Sequence, residues 1–181
     1  MRRFYKQAEA TADGSILLDG KPVKTPGRHS LTLPTPALAQ ALIAEWNSQT
    51  EKVDPRSMPL TGLANAAIDR IAPDQPAFAR GLAVYGESDL LCYRAEAPAR
   101  LVERQAEQWD PILAWARRRY DVDFEVASGI IHRSQPPATL ARLALALEAR
   151  DPFELAGLSP LVTVSGSLKL PAWSTARTVM V

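Results

Sequence analysis

The sequence predicts an α+β protein, a small beta-rich N-terminal domain followed by an alpha-helical domain. Two observations carry this. From Arg3 to Leu33, short apolar pieces alternate with the pairs Asp13-Gly14, Asp19-Gly20 and Pro26-Gly27, the pattern of antiparallel strands joined by tight turns. Beyond Leu33, at least five segments repeat apolar residues at three- and four-residue spacing, the period of an amphipathic helix. Most of the 15 prolines sit where those helices begin, so they punctuate structure rather than signal disorder.

In the head, ILLDGKPV is the clearest hairpin, with Asp19-Gly20 as its turn. A few short strands with one apolar face need a covering helix. That helix follows, with Thr35 as its cap, Pro36 at its first position, and Leu38, Ala41, Leu42, Glu45 and Trp46 along one side. Gln40, Glu45 and Gln49 mark its wet side. A second helix spans about 60–71, with Leu63, Ala64, Ala67, Ile68 and Ile71 on one face, and a third spans about 75–85. The run Leu90-Leu91-Cys92-Tyr93 reads as an irregular apolar segment, either an extra helical turn or the end of a strand. Pro98 opens the longest helix, to about residue 120, and Pro111 predicts a bend or break near Asp110. VDFEV followed by GIIH reads as a short strand pair or extended excursion. Two helices joined by a short loop, at about 137–149 and from Phe153 onward, complete the pattern. The division is expected near residue 72: 1–72 for the head with its covering helices, 73–168 for the helical domain, and 169–181 for an irregular tail.

Composition bounds the function. With 46% hydrophobic and 23% charged residues and a net charge of +1, the chain has no electrostatic footprint for nucleic acid or an anionic membrane. Its apolar runs are too short for membrane insertion, and MRRFYK has no apolar stretch behind it that would make a secretory signal. A cytoplasmic bacterial protein or a mature organellar one fits. A single cysteine excludes an internal disulfide framework.

Chemistry-bearing residues are sparse. His29 reads as a solvated turn residue and His132 as a partly buried, hydrogen-bonded one. With Cys92 they could form a metal site only by long-range folding, so no metal and no cofactor is expected. The glycine spacing matches neither a dinucleotide fold nor a phosphate loop. Arg117, Arg118 and Arg119 are compensated by Asp121 and Asp123. Glu87 and Asp89, two residues apart, could with His132 serve a small hydrolase if all three converged in a concave pocket. An apolar-ligand carrier would need a closed cavity. A protein-binding role fits the aromatics better. Trp109 and Trp115 are six residues apart on one helix, about 240° around its axis, so both cannot face one core. Trp109 continues the core line and Trp115 is the candidate exposed anchor. Trp115, Trp109, Tyr93 and Asp89 are the candidate partner-binding residues.

RRFYK, LLDGKPVKTP, LTLPTPALAQALIAEW, MPLTGLANAAIDR, YGESDLLCYRAEAP and QAEQWDPILAWA, in that order, resemble the assembly chaperones for the alpha subunit of the ATP synthase catalytic head. The resemblance covers about residues 3–168. It implies a non-enzymatic, ATP-independent factor that holds the free alpha subunit until a beta subunit replaces it. It also implies a beta-rich N-terminal domain joined to a helical one. The family is mitochondrial in eukaryotes and cytoplasmic in alphaproteobacteria.

After LSPLVTVSGS the family continues through an alanine-rich helix and an acidic, tryptophan-containing stretch. KLPAWSTARTVMV stands there instead, the pattern of a truncation or a changed reading frame. The expectation is a monomer with apolar surface exposed on Leu140, Leu147, Leu155 and Leu161. That face would be lined by an irregular tail through Trp173, or would drive self-association.

Overall fold

The structure, a computed structural model, describes residues 2–169. It is α+β, and it divides into two units: Met1–Gln75 with Pro152–Ala156, and Pro76–Asp151 with Gly157–Val181.

The head unit holds a three-stranded antiparallel sheet, β1 (Ala8–Ala10), β2 (Ile16–Leu18) and β3 (Lys21–Pro22), in the order β1-β2-β3. Leu18 pairs with Lys21 across the two-residue turn Asp19-Gly20. Both turn residues have positive φ, 48° and 76°, the left-handed pair that matches strand twist in a type I′ hairpin. The Asp19 carboxylate also accepts the Lys6 and Gln7 N–H groups, so one residue turns the hairpin and ties down the entering chain. Those donors hold its carboxyl below the usual aspartate range, Gln7 contributing most. Gly14 (φ 84°) lies against Leu33, whose carbonyl oxygen would be 2.3 Å from any added Cβ, so only glycine fits there.

Ile16 and Leu18 are buried while Leu17 is not, the period-2 signature of a sheet with one covered face. That face packs with α1 (Pro36–Asn47) in one core containing Tyr5, Leu31, Leu33, Leu42 and Met58. Thr35 caps α1, its Oγ1 accepting the Leu38 N–H at 3.2 Å. The buried face of α1 is Ala39, Leu42 and Trp46, with Ala39 in the place expected for Ala41, which is exposed. Gln49 and Glu45 also depart from the wet-side expectation. Gln49 is buried and bonds Ser57, Asp54 and the Glu45 carbonyl. The Glu45 carboxylate accepts the Leu60 and Thr61 N–H groups at 2.7 and 2.8 Å, capping α2 (Pro59–Ala66). The expected single helix to Ile71 instead passes from α2 into a π turn at Ala67–Ile71 and a 3₁₀ turn at Ala72–Asp74. Pro73 lacks the N–H that an α-helix would send to the Asp69 carbonyl. Phe153 packs against the head core, which is why 152–156 group with the head.

The helical unit contains α3 (Gln75–Ala83), whose first residue belongs to the head, then α4 (Ala99–Tyr120), α5 (Pro137–Glu148) and most of α6 (Pro152–Ser165). The Leu90–Cys92 segment is a 3₁₀ turn leading into β4 (Tyr93–Arg94), so both expected alternatives occur in succession. β4 pairs in parallel with β5 (Ala127–Ser128). Of the two expected alternatives for VDFEV, the extended excursion holds: residues 122–126 form no strand, although Val122 and Phe124 are buried, and the short strand β5 begins only at Ala127. Helix α4 runs uninterrupted through Pro111. The bond that Pro111 cannot make is owed to the Glu107 carbonyl, and both residues are exposed, so water can satisfy that carbonyl. Leu155 is buried, against the expected exposure, while Leu161 is 54% exposed and Leu140 and Leu147 are half-buried. The expected role of Trp173 falls outside the described residues.

Candidate functional site

The hydrolase trio does not assemble. Glu87 follows a 3₁₀ turn at Val84–Gly86, and its Oε1 lies 3.4 Å from His132 Nε2. Tyr93 Oη sits 3.0 Å from the other imidazole nitrogen, which fixes the ring from both sides. This cluster is open to solvent, with the His132 side chain 55% exposed. Asp89 has no exposed surface and is spent elsewhere. Its carboxylate caps the Leu90–Cys92 turn through Leu91 N–H at 3.0 Å. It also accepts the Ser167 hydroxyl at 3.0 Å and the Leu168 N–H at 2.8 Å, and faces Lys169 Nζ at 3.2 Å. The expectation of Asp89 at a partner surface is therefore corrected: Asp89 is an internal cap joining the Leu90–Cys92 turn to the end of α6. Lys169 also lies 4.0 Å from the centre of the Phe124 ring and 3.5 Å from Cys92 Sγ. Burial pushes the Cys92 thiol up, so it is an inert core residue.

The aromatic candidates lie on or beside α4. Arg94 stacks over Trp109 at 5.3 Å while its guanidinium holds Asp110 at 2.8 Å and the Leu91 carbonyl at 3.1 Å. Gln105, one helical turn earlier, accepts the Ala95 N–H at 2.8 Å, so β4 is laced to α4 along the Gln105–Trp109 line. Trp115 meets Tyr120 edge-on at 5.7 Å. Both tryptophans are half-buried; the buried positions of α4 are Ile112, Leu113 and Ala116. Beside the Tyr93–His132 pair, β5 leads to Ile130 and Ile131, which are 95% and 79% exposed.

In the head unit His29 is more than a solvated turn residue. The Asp69 carboxylate faces His29 Nδ1 at 2.9 Å and accepts the Thr25 hydroxyl at 2.6 Å and the Gly27 N–H at 2.8 Å. These partners, His29 first, hold the Asp69 carboxyl below the usual aspartate range. Among the described residues no group of three or more His, Cys, Asp or Glu is placed to hold a metal ion.

Residues 2–117 match the family model described as ATP12 chaperone protein. The chain belongs to the ATP12 chaperone family. Among solved structures it is similar to Atp12 from Paracoccus denitrificans, at 44% identity over 93% of this chain and 74% of that one, with a TM-score of 0.86. A single-site variant of that protein gives the same values. A candidate chaperone from Agrobacterium tumefaciens matches at 41% identity over 92% of this chain and 64% of that one, with a TM-score of 0.83. As an ATP12-family protein the chain is a chaperone and not an enzyme.

Sequence reasoning missed the exposure of the apolar pair Ile130–Ile131. The signal was present: two β-branched apolar residues follow Gly129 and precede His132-Arg133 with no helical partner spacing. It missed Asp69 too, because its three partners lie about forty residues away in sequence.

Proposed function

We propose that this chain is an assembly chaperone of the ATP synthase that binds the unassembled alpha subunit of the catalytic head and keeps it from aggregating. The observation that carries the proposal is its membership of the ATP12 chaperone family. The exposed apolar side chains of the helical unit support it, because a subunit surface later buried against its assembly partner must be covered meanwhile. Such a contact needs roughly 1,000 Å² or more of buried area, with an apolar centre and a polar rim. Trp115, Trp109 and Tyr93 are the proposed contacts, joined by Ile130 and Ile131. The chaperone is proposed to act as a monomer in the bacterial cytoplasm. No helix among the described residues is long and apolar enough to cross a membrane.

The test is aggregation of purified alpha subunit followed by light scattering. An equimolar amount of this chain should suppress it, and undiminished scattering rejects the reading. Trp115→Ala should weaken alpha-subunit binding by more than about 1 kcal/mol with an unchanged circular dichroism spectrum. An unchanged binding constant removes Trp115 from the contact.

A further inference from the structure

Ile130 and Ile131 are almost fully exposed, yet the chain on both sides of them is tied down. On the N-terminal side, β5 pairs with β4, and the Gly129 N–H donates to the Arg94 carbonyl at 2.8 Å. Gly129 takes φ 81°, a left-handed value that glycine adopts without strain, and the chain bends there. On the C-terminal side one carboxylate holds two residues. Glu87 Oε1 lies 3.4 Å from His132 Nε2, and Glu87 Oε2 accepts the Gln135 N–H at 3.3 Å. Tyr93 Oη lies 3.0 Å from His132 Nδ1. The buried Gln135 side chain exchanges two bonds with the Glu125 backbone, at 2.9 and 3.1 Å.

A loop free to rearrange would fold two bare isoleucines against nearby apolar surface, because their burial is favourable. The ties on either side oppose that. What they present is a branched apolar pair whose flanking imidazole and amide are already engaged. Its complement is an apolar depression on a partner, rimmed by polar groups. A second copy of this chain is a poor complement. On the transfer scale two buried isoleucines account for roughly 120–240 Å² of apolar surface, against about 600 Å² per partner in the smallest stable interfaces. The pair must therefore belong to a larger contact, and Arg94 makes it continuous with one. The Arg94 carbonyl holds Gly129 while its guanidinium stacks over Trp109, a proposed client contact.

We propose that Ile130 and Ile131 form a preorganised knob that enters an apolar depression on the alpha subunit, and that Glu87 is the residue that positions it. The proposal rests on the chaperone reading above and names the part of that surface which is fixed before the client arrives. Fixing it beforehand matters because ordering a loop on binding subtracts from affinity. Glu87 itself stays outside the contact and acts through His132 and Gln135.

The test is a double-mutant cycle on alpha-subunit binding by the full chain, with the thermal midpoint of each variant recorded. Ile130→Ser combined with Ile131→Ser should weaken binding about ten-fold at an unchanged midpoint, since both side chains are exposed. Glu87→Ala should weaken it about five-fold. Added to the tip variant, Glu87→Ala should cost less than about two-fold more, because a carboxylate that acts only by placing the isoleucines has nothing left to place. Glu87→Gln should bind like the unmutated chain. Its amide oxygen can accept the Gln135 N–H, and its NH₂ can donate to His132 Nε2 in the other imidazole tautomer. Methyl relaxation of ¹³C-labelled isoleucine should show Ile130 and Ile131 more mobile in Glu87→Ala and unchanged in Glu87→Gln. Native affinity in the tip variant overturns the proposal, and so does an additive cycle or a failure of Glu87→Gln to rescue. A dimer of the chain alone that the tip variant abolishes in sedimentation overturns it too, by assigning the knob to a second copy. Failure of the chaperone reading looks different: the unmutated chain itself binds no alpha subunit and leaves its scattering undiminished, which removes the partner named here as well.

Discussion

The two units manage apolar surface in opposite ways. Among the described residues, Phe4 is the one large apolar side chain left exposed in the head. In the helical unit Val84, Leu90, Leu101, Val126, Ile130, Ile131, Leu145, Leu161 and Val164 are all exposed. Both units tie distant segments with carboxylates: Asp19, Glu45 and Asp69 in the head, Asp89 in the helical unit. Polar stitching therefore does not distinguish them. The difference lies in the covering layer. The sheet places α1 over its apolar face, whereas the helical unit ends with apolar positions on its helices and on the β5 tip uncovered. For a chaperone that asymmetry is useful, since one unit closes its own core while the other presents apolar surface of the kind that marks protein-interaction sites.

The sharpest way to break the comparison is to remove one buried group from each unit. Asp89→Ala strands the buried Lys169 ammonium and should cost about 3–5 kcal/mol in urea unfolding. Leu42→Ala empties the head core and should cost about 2–5 kcal/mol. A negligible cost for Asp89→Ala would mean that the end of α6 is not held by that carboxylate. Glu45→Ala releases two N–H groups at the start of α2 and should cost about 1.5–3 kcal/mol, with Glu45→Gln losing less.

Acid should act first on the head. The Asp19 and Asp69 carboxyls titrate below the usual aspartate range when folded, so on acidification the unfolded chain takes up protons before the folded one. Their stabilisation is complete above about pH 4, where unfolded aspartates are ionised, and is lost as pH falls through the lower folded values. Urea midpoints should accordingly fall between about pH 6 and about pH 3, and Asp69→Asn should flatten that slope. An unaltered slope in the variant would remove Asp69 from the effect. The smallest stability effect belongs to the exposed tip: Ile131→Ser should change unfolding by no more than about 0.5 kcal/mol. It should nonetheless weaken alpha-subunit binding, and full retention of affinity would take the tip out of the client surface.

Much of the head was legible because its signals are local. Asp19-Gly20 sets a hairpin through the φ values those two residues tolerate, and Thr35-Pro36 starts a helix through a cap and a preset φ. The period of α4 and α5 needed only their own side chains. The family resemblance was also in the sequence, as ordered segments that no single motif could supply.

Position along the chain could not show which polar groups would be buried. Gln49 and Glu45 read as solvent-facing, yet partners at Asp54, Ser57, Leu60 and Thr61 fold back onto them. Asp89 read as a surface carboxylate until residues 167–169 closed over it. His132 meets Tyr93 across thirty-nine residues of chain, and the Trp46 indole N–H is buried with no acceptor among the described residues. Backbone torsions and helical periods are properties of neighbours in sequence, so the sequence by itself determined them. Burial and hydrogen-bond pairing are properties of neighbours in space, and only the tertiary structure decides which distant donor displaces water from a given carboxylate.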